Sequence, residues 1–146
     1  MTRRRRRDRS GGADSRALAE VAAREAADRR GQDVVLLDLR GLTSATDYFV
    51  IASGASDVQV KAIAARIEER LEREKTRPWH VEGVQNARWV LLDYVDFVVH
   101  VFHESARRYY ELERLWADAP AASFSSHDAG SPNGESDRTE AVGDTD

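Results

Sequence analysis

The chain has 146 residues, 41% hydrophobic and 33% charged, which is enough for one domain with tails to spare. Its net charge of −4 hides a basic head and an acidic end: residues 1–15 carry six arginines against Asp8 and Asp14, and residues 120–146 carry six acids against Arg138. The absence of cysteine excludes disulfides and thiolate metal sites and fits a reducing cytosol, and no apolar run approaches the roughly 20 residues of a membrane span.

The arginine block is followed by Gly11 and Gly12 with no apolar segment between, so it is not a secretory signal. It also lacks the amphipathic pattern of a transit peptide, and a soluble cytoplasmic protein is expected. Residues 1–14 read as a disordered basic tail, either simply solvated or drawn loosely to phosphate backbones. Asp14 or Ser15 then caps a first helix running to about Arg30, with Gly31 as its terminator. Leu18, Val21, Ala22, Glu25 and Ala26 give it a thin packing stripe.

Residues 33–39 (DVVLLDL) and 47–53 (DYFVIAS) predict two buried strands. Their short connection favours antiparallel pairing, because a parallel return needs a crossover of a dozen or more residues. Gly54 breaks the second strand, and Ser56 with Gln59 forms a capping box for a second helix. In it Val60, Ile63, Ala64, Ile67 and Leu71 share one face, and the helix ends before Pro78.

Residues 79–116 hold the densest run of large apolar and aromatic side chains. They predict a short strand at 79–84 broken by Gly83, then strands at 88–93 and 96–102 joined tightly through Tyr94 and Val95. A last helix follows at 105–118, packing through Tyr109, Leu112, Leu115 and Trp116. Residues 120–146 are rich in Ser, Gly, Asp and Ala without periodicity and read as a disordered acidic tail. The order α-β-β-α-β-β-β-α gives an α/β class: one domain at 15–119, with a mixed sheet of about five strands flanked by helices.

No complete catalytic constellation emerges. Gly54 stands between strand and helix, but the chain has no GxxxxGK or GxGxxG around it. His100 and His103 lie three apart along a strand, on opposite faces, so they cannot chelate one ion; His100 reads as a buried, hydrogen-bonded histidine. Asp38, Asp47, Asp93 and Asp96 sit near strand ends, where metal-dependent phosphoryl transfer would hold its acids. Turn formers sit there too, and no strand carries a D-x-D pair. Ser53 and Ser56 lack the setting of a hydrolase nucleophile.

A recognition surface is what the composition leaves. Trp89, Leu91 and Asp93 share one strand face, and Val90, Leu92 and Tyr94 the other. Both faces are large and apolar near Trp89, so helices cover one and a further layer or a partner covers the other. Aromatics beside Arg88, Arg107 and Arg108 match the make-up of protein-interface cores.

Several stretches taken in order resemble the ribosomal silencing factor family, also called Iojap. They are Asp38, Gly41, residues 46–51 (TDYFVI), Ser53-Gly54, Glu82-Gly83, residues 87–93 (ARWVLLD), residues 96–102 (DFVVHVF) and residues 107–116 (RRYYELERLW). The resemblance spans about residues 15–118 and implies a nucleotidyltransferase-like shape without that enzyme's acids, hence no enzymatic activity and no cofactor. It implies binding to the large ribosomal subunit through its fourteenth protein, blocking small-subunit joining and lowering translation when nutrients are scarce. It also implies a capacity for homodimers, and the arginine tail adds a weak contact to ribosomal RNA.

Carried over by position, Trp89 matches a tryptophan of the family's ribosome-facing surface and Tyr94 a neighbouring contact position. Leu91 and Asp93 follow by proximity, and Arg88 adds a charge-assisted contact. Where the family commonly has glycine before the acid in D-x-G-D, this chain has Val95, which is expected to sit in a turn that needs no positive φ. The rival reading is a nucleotide-binding or nucleotidyl-transfer enzyme using Asp38, Asp47 or Asp96.

Overall fold

The computed structural model describes residues 11–110 and 112–126. In chain order these form α1 (Gly11–Asp28), β1 (Gln32–Asp38), β2 (Tyr48–Gly54), α2 (Asp57–Glu72), β3 (His80–Glu82), β4 (Trp89–Asp93), β5 (Phe97–His103), α3 (Glu104–Tyr110), α4 (Leu112–Leu115) and β6 (Ala121–Phe124). The strands make one sheet in the order β3-β4-β5-β2-β1-β6. β2 and β5 run parallel at its centre, and the other neighbouring pairs are antiparallel, β1 with β2 as expected.

The sheet has six strands rather than about five. β6 arises in the stretch expected to be disordered, where Ala121–Phe124 pairs with β1 from Leu37 back to Val34. Periodicity gave no sign of it because the strand is four residues long and carries a single large apolar side chain. That side chain, Phe124, packs against the core under the guanidinium of Arg24, 5.1 Å from the ring centre. The basic tail at residues 1–10 and the rest of the acidic tail at 127–146 lie outside the described residues.

α1 begins at Gly11, ahead of the expected cap at Asp14 or Ser15. Its buried face is an alanine stripe, Ala19, Ala22, Ala23, Ala26 and Ala27, while Glu25 turns aside to pair with Arg66 of α2 at 3.2 Å. Side chains this small let the helix lie close to both the sheet and α2. At its C-terminus the left-handed residue is Arg30 (φ 66°), not Gly31. Bonds from Arg30 N–H to the Ala27 carbonyl (3.0 Å) and from Gly31 N–H to the Ala26 carbonyl (2.8 Å) complete a Schellman motif. Gly31 is needed for another reason: a Cβ there would stand 2.7 Å from the Ala26 oxygen.

α2 forms as its pattern predicts, with Val60, Ile63, Ala64, Ile67 and Leu71 all buried. Ser56 caps it, Oγ accepting from Gln59 N–H at 3.1 Å. The expected reciprocal half of the capping box is absent: Gln59 Nε2 donates to the Arg29 carbonyl (2.6 Å), tying the start of α2 to the end of α1. Gly54 lets the two elements meet, because a Cβ would lie 2.9 Å from the Val60 backbone nitrogen.

The helices divide between the two faces of the sheet. α1 and α2 cover the face formed by Val34, Leu36, Val50, Ala52, Val90, Leu92, Val99 and Val101. On the other face Ala106 of α3 and Leu112 of α4 pack over Leu37, Leu39, Ile51 and Phe102. Of the helix expected at 105–118, the described residues hold helix at Glu104–Tyr110 and Leu112–Leu115, with residue 111 between them outside the described set, and the helix stops short of 118. Leu115, expected in its packing face, is instead 69% exposed, and the side chains of Arg108, Tyr109 and Tyr110 lie outside the described set.

Candidate docking face

Among the described residues, α3 and α4 cover only part of the second face, and what they leave open lies over β4, β5 and the start of β2. Alternation along β4 puts Trp89, Leu91 and Asp93 on this side, all partly buried, and Val90 and Leu92 on the helix side. Arg88 is exposed at the strand's entrance. Tyr94 does not join them. It is 7% exposed, stacks on Phe97 at 4.8 Å between ring centres, and belongs to the core under α1 and α2. Burial pushes its hydroxyl pKa well above the usual tyrosine value. Of the five residues singled out from the sequence, three share one side of β4, Arg88 is exposed at the strand's entrance, and Tyr94 is interior.

Trp89 is less free than a surface anchor. Its ring stacks on Phe102 (5.2 Å), and its indole N–H donates to His100 Nδ1 at 3.0 Å. That bond fixes the histidine tautomer: Nδ1 accepts, so the proton sits on Nε2. His100 is 3% exposed, and burial pushes its pKa down to about 3, leaving the ring neutral. Nε2 itself is buried and has no hydrogen-bond partner among the described residues. His103 points elsewhere, its Nδ1 accepting from Ser105 N–H at 3.2 Å and its Nε2 3.7 Å from Asp57, so the two histidines do not converge.

Beside His100 the bare face sinks into a hollow of about 480 Å³. Phe49, Leu91, Val98 and Trp116 form much of its wall, Thr46, Asp93 and Val95 one end, and Trp79 the rim. Trp79 is 65% exposed, the largest apolar side chain so displayed among the described residues. Sequence analysis did not place it in the site. Its signal lay in position: it follows Pro78 and precedes a three-residue edge strand, a place where a large ring has little to cover it.

The turn from β4 to β5 closes one end of the hollow, and here the expectation fails. Val95 has φ 74°, and Asp96 N–H bonds the Tyr94 carbonyl at 2.9 Å, an i+2→i link. Together these describe the γ-turn of positive φ, the rarer and more strained of the two forms. Asp93 Oδ1 accepts from Val95 N–H (2.8 Å) and Thr46 Oγ1 donates to the Val95 carbonyl (3.0 Å), holding the turn from both sides. A β-branched residue with left-handed φ costs about 1–2 kcal/mol. Val95→Gly is therefore expected to raise stability by about 1 kcal/mol, after the extra freedom that glycine gives the unfolded chain is deducted. A shift of the urea midpoint at constant slope would register it.

The acids near strand ends have structural partners. Asp38 is bound by Arg40 through Nε (2.9 Å) and Nη2 (2.7 Å), which holds its carboxyl below the usual range. Asp93 is engaged by the turn. Among the described residues no three of His, Asp and Glu are grouped to hold a metal ion. Arg107, expected near an interface, is 8% exposed and ties α3 to β2 and to Glu113 of α4, with Nη1 on Ser53 Oγ (2.9 Å) and Nη2 on Glu113 Oε2 (2.6 Å). No described helix is long and apolar enough to cross a membrane.

Comparison with known proteins fits this architecture. Residues 12–146 match the family model described as "Ribosomal silencing factor during starvation". A ribosomal silencing factor of Bacillus subtilis is 43% identical over 109 residues, covering 75% of this chain and 92% of that one. A crystal structure of a Chromobacterium violaceum protein superimposes with a TM-score of 0.68 at 34% identity, covering 70% of this chain and 85% of that one. A Bacillus halodurans structure gives 0.63 at 37% identity, covering 77% and 99%. With a fold, a sequence and a family model in agreement over most of its length, the chain belongs to the ribosomal silencing factor family.

Proposed function

We propose that this protein represses translation by binding the large ribosomal subunit through its fourteenth protein and excluding the small subunit by volume. Family membership already gives the chain a regulatory role in ribosome silencing during starvation. The observation that supports the finer reading is the half-covered sheet face, with the hollow under Trp79 and the row Trp89, Leu91 and Asp93 beside it. An apolar patch rimmed by polar residues on an otherwise covered domain marks a docking surface. Blocking by occupancy needs no chemistry at the site, so affinity sets potency. Arg88 supplies a charge at the margin of this face, and Asp93 shapes the turn more than it contacts the partner. Tyr94 acts from beneath, supporting the strand.

On this reading the protein works in the cytoplasm, with a basic and an acidic end flanking the folded domain. The arginine tail adds a salt-sensitive attraction to ribosomal RNA, and a homodimer through the same face competes with the ribosome. A joining assay with purified subunits provides the test. Formation of whole ribosomes is expected to fall as protein is added and to approach zero at saturation; normal joining at saturating protein ends the proposal.

A further inference from the structure

A buried hydrogen-bond donor without an acceptor is uncommon enough in a folded protein to need a reason. The Nε2–H of His100 is such a donor: the ring lines the hollow, Trp89 occupies its other nitrogen, and Nε2 is cut off from solvent with no partner among the described residues. Strain elsewhere does not account for it, because the ring is well packed, edge-on to Phe49 at 4.5 Å. The rest of the wall is mainly apolar, with Thr43, Thr46 and Asp93 as its other polar residues, of which Thr46 and Asp93 are engaged by the Val95 turn. Among the described residues that line the hollow, the imidazole N–H is thus the buried group waiting on a partner.

The hollow's size and lining fit a protein side chain or small molecule of mainly apolar character that carries an acceptor. Two observations favour a protein. The hollow opens onto the same face as Leu91 and the exposed Trp79, a surface broader than a small molecule needs. The groups around Nε2 are also already dehydrated, so an acceptor arriving from a docked backbone has no water to displace on this side. That is preorganisation, met during folding and not during binding.

We propose that the hollow receives an apolar side chain of the ribosomal protein partner, and that an adjoining backbone carbonyl accepts from His100 Nε2–H as the Phe49 ring moves aside. His100 thereby selects for the partner: a segment offering only apolar atoms, or a donor, leaves the imidazole proton unmatched. The inference rests on the docking face proposed above and names what that face reads. Trp89 is the positioning residue, because its indole holds the imidazole in the tautomer that donates.

The test compares the full chain with His100→Leu and His100→Gln in binding to purified large ribosomal subunits. Leucine fills much of the same volume and removes the donor. Glutamine keeps an acceptor for Trp89 and an N–H for the hollow. The leucine variant, folded by its melting profile, is expected to bind about tenfold more weakly, which corresponds to about 1.4 kcal/mol. The glutamine variant is expected to recover most of that loss. Wild-type affinity in the leucine variant overturns the proposal, as does an equal loss in both variants. Failure of the wild-type chain to bind the subunit is a separate result, and it removes the docking face itself.

Discussion

Replacing Trp79 by alanine is expected to weaken association with the large subunit about thirtyfold, a loss of ~2 kcal/mol, while leaving the melting temperature almost unchanged. The ring is 65% exposed at the rim of the hollow, so its removal takes contact from the partner and little from the core. Trp89→Ala is expected to behave differently. It removes the stack on Phe102 and the bond to His100, and opens a cavity beside β5. A stability loss of about 3 kcal/mol should accompany any loss of binding. Co-sedimentation and thermal melts on the two variants separate the cases. A Trp79→Ala chain that sediments with subunits as the wild type does would remove this rim from the docking face.

Stability should also fall in mild acid, and His100 should carry much of the effect. Its folded pKa is pushed down to about 3 by burial, below the ordinary histidine value of 6.5. Between those values the unfolded chain takes up a proton that the folded chain refuses. Unfolding is therefore favoured as pH falls from about 6.5, and the stabilisation is complete only above it. The slope from this residue is about 1 kcal/mol per pH unit, or about 2 kcal/mol between pH 6.5 and 4.5. Asp38, held below its usual range by Arg40, adds its own loss only further into acid. Urea unfolding across this interval should show the decline, and His100→Gln should flatten it. An equal slope in that variant would mean that other groups dominate.

Much of this molecule could be read from its pattern of side chains, for reasons that separate the successes from the failures. α2 declared itself because its buried residues are large and evenly spaced, and the central strands because both their faces are apolar. α1 was visible as a helix and its packing stripe was read in part: Ala22 and Ala26 are buried and Leu18 and Val21 pack against the core, but alanine carries so little periodic signal that Ala19, Ala23 and Ala27 were not seen with them. β6 depends on pairing with the distant β1, which no local window contains. On the half-covered sheet face, the shared side of Trp89, Leu91 and Asp93 followed from strand alternation alone. Tyr94 was misplaced because its position was carried over from relatives, whereas alternation had already set it on the opposite side with Leu92. The role of His100 needed three coordinates together: its depth, the Trp89 indole, and the empty space beside it.

The sixth strand bears on how this protein can be shortened. β1 presents Val34, Val35, Leu36 and Leu37 in a row, and β6 covers the backbone groups along its outer side. A chain ending at residue 119, where composition suggests a boundary, would leave those groups unpaired on an apolar strand. Such an edge recruits other strands, and the expected fate of the trimmed protein is edge-to-edge aggregation. Four residues that resemble the start of a tail thus replace a seven-residue apolar edge with a shorter one.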